Sequence, residues 1–124
     1  MYFPYDFGFV NGTQGDDGDP LDALVITECD TYPGVELPCR IIGAVLATQH
    51  RPGKKKIRND RYLFVPLDSL TYGQIKDIRD FSRRHNTQLL DFFINYNKAE
   101  GKIFIPFQII NSTKATQLLR KQLH

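Results

Sequence analysis

The stretch Asp17-Gly18-Asp19-Pro20-Leu21-Asp22-Ala23-Leu24-Val25-Ile26-Thr27 runs from a turn straight into a compact apolar segment. Residues 23–27 are short and aliphatic and read as a strand. The lead-in is acidic. Pro20 pushes Asp19 toward extended backbone, and in an extended chain Asp17 and Asp19 point to one face. Gly18 lets the backbone bend between them without a Cβ clash. Asp22 returns at the mouth of the strand. At ~5 Å and an effective dielectric of ~20, each pair of such carboxylates costs roughly 3 kcal/mol. The cluster therefore keeps its protons or holds a cation. All-oxygen ligands favour a hard ion, Mg²⁺ first, then Mn²⁺ or Ca²⁺. An EF-hand is excluded, because the glycine required at its sixth loop position falls on Asp22 when counting from Asp17. An Asp-rich turn is most often a solvated loop, but the Gly-Asp-Pro-aliphatic-Asp order entering a strand favours the metal reading.

Outward from this stretch the first half reads as strands. Residues 7–10 form a short aromatic run, and 11–13 and 15–19 carry turn chemistry. A turn at 32–34 precedes a longer strand at 36–46, where Pro38 marks an edge or a bulge. Residues 49–59 are a polar, basic loop, and 61–65 resume a strand that Pro66 stops. The second half turns helical. A short helix is expected within 68–78. Leu89, Phe92, Phe93 and Tyr96 fall at i, i+3, i+4 and i+7, one apolar helix face. Residues 102–107 read as a further strand, and Ser112 as the N-cap of a last helix carrying Ala115, Leu118 and Leu119. Regular βαβ alternation is missing, so a Rossmann-like parallel sheet does not fit. A mainly-β (α+β) fold does: a small twisted barrel or sheet with helices packed at one side.

The chain has 124 residues, enough for one domain over 1–124 and too few for two. A net charge of +2 is too small to imply nucleic acid by itself. The charge is uneven, however: acid gathers at 16–22, and base at Arg51, Lys54, Lys55, Lys56 and Arg58. That basic loop is by default solvated; otherwise it would clamp an anionic substrate or bind nucleic acid. Cys29 and Cys39 lack metal spacing and read as reduced, partly buried thiols. His50, His85 and His124 also lack metal spacing and are expected at the surface. No apolar run approaches the ~20 residues of a membrane helix, and the aromatic, acidic N-terminus lacks a basic signal-peptide region. A cytoplasmic location without membrane contact is the expectation.

Asp17-Gly18-Asp19-Pro20-Leu21-Asp22-Ala23 resembles the signature of the soluble family I inorganic pyrophosphatases. Phe3-Pro4-Tyr5-Asp6-Phe7-Gly8-Phe9, Pro33-Gly34, Ile42-Gly43, Phe92-Phe93-Ile94-Asn95-Tyr96 and Ala99-Glu100-Gly101-Lys102 agree with it. The resemblance implies an OB-like five-stranded barrel with helices. It implies hydrolysis of inorganic pyrophosphate to two phosphates by a metal-activated water, with Mg²⁺ and with Mn²⁺ as a substitute. Asp17, Asp19 and Asp22 become metal ligands at the catalytic centre; Arg61, Tyr96 and Lys98 become substrate-binding residues. It also implies a homo-oligomer.

The chain departs from the family pattern at several positions. Gln49 stands where the family carries a further metal-binding Asp. Asn59-Asp60-Arg61 replaces Asp-x-Lys, which makes Asp60 the candidate replacement ligand, although a one-residue offset flips the face in a strand. Phe7 replaces a Tyr, and Asn97 followed by Lys98 replaces a Lys directly after the Tyr. The family's first strands, which supply a Lys, a Glu and an Arg, have no counterpart, so a divergent or N-terminally truncated member is expected. These departures motivate an alternative, a degenerate relative that binds metal and phosphate without turnover. An OB-like nucleic-acid module is a more distant third.

Overall fold

The computed structural model of the chain describes residues 5–10, 21–26, 38–70 and 72–122. Six strands form one mixed sheet: β1 (Tyr5–Phe9), β2 (Asp22–Ile26), β3 (Cys39–His50), β4 (Ile57–Arg58), β5 (Arg61–Pro66) and β6 (Ile103–Asn111). The order is β1-β2-β5-β3-β4, with β6 along the other side of β3. Among the described strands only the β2·β5 pair is parallel. Helix α1 spans Arg83–Ala99 and α2 spans Ser112–Arg120.

Alternate residues of β3 and β5 feed two apolar clusters. Ile42, Val45, Ala47, Leu63 and Val65 join Leu24 and Ile26 of β2, and α1 closes this cluster with Leu89 and Phe93. Ala44, Leu46 and Tyr62 join Ile110, and α2 closes the other cluster with Ala115. The anticipated α1 face is therefore real at Leu89 and Phe93, while Tyr96 at its end is exposed. Each helix stabilises the sheet by removing apolar area from water.

Two bulges shape β3. Its register against β5 shifts between Ile41 and Gly43, and its register against β6 shifts between Leu46 and Ala47. At Gly43 a Cβ would meet the Ile110 carbonyl at 2.7 Å, so only glycine allows this approach of β6. Helix α1 starts on Ser82, whose Oγ accepts from His85 N at 3.1 Å. It ends at Gly101, φ 75°, where Lys102 N reaches Asn97 O and Gly101 N reaches Lys98 O, a Schellman close.

Several local expectations change. The described residues 68–70 and 72–77 form turns and bends, followed by a 3₁₀ turn at Ile78–Asp80, and not the expected helix. Arg40 Nη1 takes the carbonyls of Gly73 and Ile75 at 3.0 and 3.1 Å, holding the backbone in another conformation. The N-cap of α2 is Asn111, whose Oδ1 accepts from Lys114 N at 2.9 Å; Ser112 is the first helical residue. The loop expected at 49–59 is narrower, because β3 continues to His50 and β4 pairs with it at Thr48 and Gln49. Cys39 is a half-buried free thiol, its pKa raised by burial and by Asp68; Cys29 lies outside the described residues. His85 is half-buried, stacked on Phe81 at 4.1 Å, and its pKa is lowered by burial.

Candidate active site

Asp22 and Arg61 are register partners across the parallel β2·β5 ladder. Both open their strands, and their side chains share the sheet face that carries Leu24, Ile26, Leu63 and Val65. Apolar packing along the strands thus fixes where two charges meet. Arg61 Nη1 donates to Asp22 Oδ2 in an ion pair, and Nη2 donates to Gln49 Oε1 at 3.0 Å. The guanidinium lies over Phe93 and Phe104, 5.9 and 5.3 Å from the ring centroids. This cation–π seat orients a planar fork that is itself buried. The Asp22 side chain keeps 43% of its surface open, so one edge of the pair faces solvent.

Tyr96 stands at the same end of α1, its ring 5.8 Å from Phe92. Its pKa is raised, first by desolvation, then by a hydrogen bond and charge from Glu100; Arg61 acts in the lowering direction and Asp22 in the raising one. The hydroxyl is therefore protonated at neutral pH and within electrical reach of both charges. Lys98 is exposed and sits about 200° around the helix from Tyr96. Asn97, between them, is buried; its Nδ2 donates to Phe93 O at 2.8 Å and helps close the helix.

Asp60 lies on the opposite face from Arg61, as strand alternation requires. Its Oδ1 accepts from Arg58 Nε at 2.7 Å and from Ala47 N at 3.1 Å. Ala47 sits where β5 has ended along β3 and β4 has not begun. The carboxylate thus supplies an acceptor that no strand provides at that point. The same charge, after burial itself, pushes the Tyr62 hydroxyl up to about 12. Asp17 and Asp19 lie outside the described residues, as does Phe7 beyond its place in β1. Among the described residues no three His, Cys, Asp or Glu side chains group as a metal site. Asp22 contributes the donor chemistry a hard cation needs: a carboxylate, half open, at the end of a strand.

Phe93 and Phe104 are the site neighbours that sequence reasoning did not assign; Gln49 was placed at the position of a lost ligand, but its bond to Arg61 was not foreseen. Gln49 reaches Arg61 only because β3 is long, and Phe104 only because β6 pairs with that end of β3. No local pattern announces either contact.

A mixed sheet with one helix on each cluster, an acid–arginine pair at the mouth of its parallel strands and a tyrosine beside it defines an OB-like α+β protein with a polar cluster of Asp22, Arg61 and Tyr96. The inorganic pyrophosphatase family model matches residues 1–124. The inorganic pyrophosphatase of Corynebacterium efficiens is 37% identical over 100 residues, 81% of this chain. That of Nanoarchaeum equitans is 30% identical over 124 residues, covering 98% of this chain and 74% of the relative. A solved structure of the inorganic pyrophosphatase of Helicobacter pylori matches with TM-score 0.82 at 27% identity, covering 97% of this chain and 69% of its own. The chain belongs to the inorganic pyrophosphatase family. It spans 60% of the Corynebacterium efficiens relative and 58% of that from Synechocystis.

Proposed function

We propose that this chain hydrolyses inorganic pyrophosphate to two phosphates in a Mg²⁺-dependent reaction, with Mn²⁺ as a substitute. One observation carries the reading: β2·β5 register places a half-open Asp22 beside a buried Arg61, within electrical reach of Tyr96. In the reaction one P–O bridge bond breaks, water supplies hydroxide to one phosphorus, and the proton balance passes to the product phosphates. Asp22, with Asp17 and Asp19, would hold the metal, which would supply charge neutralisation and water activation. Arg61 binds a phosphoryl group through its fork and neutralises developing charge. Tyr96 donates a hydrogen bond to a phosphate oxygen. Asp60, engaged by Arg58 and Ala47 N, ties β3 on the face opposite Arg61, and Lys98, about 200° around α1 from Tyr96, adds only long-range positive charge.

Single-domain organisation over 1–124 and a cytoplasmic location accompany this reading; among the described residues no helix is long and apolar enough to cross a membrane. Self-association into a homo-oligomer is supported by the exposed row Ile103, Ile105 and Phe107 on β6, and light scattering tests it. A second reading, binding without turnover, is favoured by the Arg61–Asp22 ion pair, which neutralises the carboxylate a metal needs. Phosphate release from pyrophosphate decides between them. Release that requires Mg²⁺ and stops with EDTA supports hydrolysis. Tight Mg²⁺-dependent binding without release supports the second reading.

A further inference from the structure

A pocket of about 250 Å³ lies where the end of β3, the 51–58 turn and the start of β6 meet. Its basic lining comes from His50, Arg51, Lys54, Lys55 and Lys102, and Gln49 forms part of its wall. The lining contains no carboxylate and no Phe or Tyr. The turn is tied by Lys54 N to Arg51 O at 2.9 Å and by Gly53 at φ 75°. Arg51 Nη1 reaches Glu100 O at 3.5 Å, linking the turn to the close of α1. None of Arg51, Lys54, Lys55 and Lys102 enters an ion pair among the described residues. His50 Nδ1 is buried without a hydrogen-bond partner. Four fixed positive charges around one hollow repel each other and attract a multivalent oxyanion.

Gln49 is the link to the candidate active site, since its Oε1 accepts from Arg61 while its side chain also walls the pocket. We propose that the pocket is a second phosphate-class anion site. It takes one end of a linear polyphosphate longer than pyrophosphate, whose other end lies at Asp22 and Arg61. The placement of that other end rests on the proposed function; anion binding in the pocket does not. Nucleic acid fits less well, because base stacking needs aromatic platforms and the lining offers none beyond His50.

The test is calorimetric titration of the whole chain with tripolyphosphate and with pyrophosphate, in EDTA so that no divalent metal takes part. The parent is compared with the double variants Lys54→Gln/Lys55→Gln and Lys54→Arg/Lys55→Arg, both on an exposed turn and checked for fold by circular dichroism. The Gln variant is expected to weaken tripolyphosphate binding by at least ~10-fold and pyrophosphate binding by less than ~3-fold, with the Arg variant restoring the parent affinity. Unchanged tripolyphosphate affinity in the Gln variant overturns the proposal. An equal loss for both ligands overturns the bridging to Asp22 and Arg61, and tighter binding of a single-stranded oligonucleotide than of tripolyphosphate overturns the phosphate-class assignment. Lysine-dependent tripolyphosphate binding in a chain that releases no phosphate from pyrophosphate upholds the pocket and removes the proposed reaction; the reverse pattern removes the pocket alone.

Discussion

Asp22 and Asp77 are both carboxylates bonded to arginine, yet they sit in opposite settings. Asp22 meets a buried guanidinium and leaves nearly half its own side chain open. Asp77 is buried and meets an exposed one. It accepts from Arg79 N at 3.0 Å and from Ser112 N and Oγ at 3.1 and 2.9 Å, tying the 3₁₀ turn to the first residue of α2. Burial alone would raise its pKa, but the hydrogen bonds from Arg79 and Ser112 hold it at about 2. The bonds that saturate Asp77 assign it to structure; the open edge of Asp22 leaves it available to a ligand. Asp60 is nearer to Asp77 in kind, with its Oδ1 spent on Arg58 and on the backbone of β3.

The contrast can be broken from either side. Arg61→Lys keeps the charge but loses the fork that spans Asp22 and Gln49. Phosphate release should fall by ~100-fold through misplacement of the charge. Activity near that of the parent would show that the fork is idle. Asp77→Asn should lower stability by about 2 kcal/mol at neutral pH without lowering activity per folded molecule. The sign follows from a folded pKa held below the ordinary 3.8: the stabilisation is present above about pH 4 and is lost as pH falls through about 2. Denaturant melts of parent and variant should converge across that window, and a constant gap would assign the knot to something other than ionisation. Asp60→Asn should cost about 1 kcal/mol in the same melts by weakening the Arg58 and Ala47 bonds. A metal affinity that drops alongside would move Asp60 to the Asp22 side of the contrast. Tyr96→Phe should give the smallest effect, a few-fold rise in KM for pyrophosphate with no change in melting.

Much of the scaffold was legible because it is local. The aliphatic run 23–27 and the spacing of Leu89 and Phe93 report burial directly, and the structure places β2 and α1 there. The reversal of Asp60 followed from alternation alone. Pairing across distance was not legible. Asp22 and Arg61 meet through the register of two parallel strands 39 residues apart. The 68–78 segment was misread as helical because Arg40, 33 residues upstream of Gly73, takes its carbonyl. Asn111 and Ser112 are both good caps; Asn111 Oδ1 takes Lys114 N, while Ser112 Oγ is engaged by Asp77 from a distant turn, which no local pattern announces. The Asp77 knot rests on two such long-range bonds, both from Ser112, and left no signature in the chain.

The division between a functional Asp22 and a structural Asp77 meets its most direct test in Asp22→Asn, read twice on the same sample. Phosphate release from pyrophosphate with Mg²⁺ should fall by at least ~100-fold, because one hard ligand is lost from the metal site. The melting temperature should stay within about 2 °C of the parent, because the Asn oxygen and Gln49 still accept from the buried Arg61 guanidinium. Undiminished release, or a melting point that collapses together with activity, would contradict the assignment and return Asp22 to the scaffold.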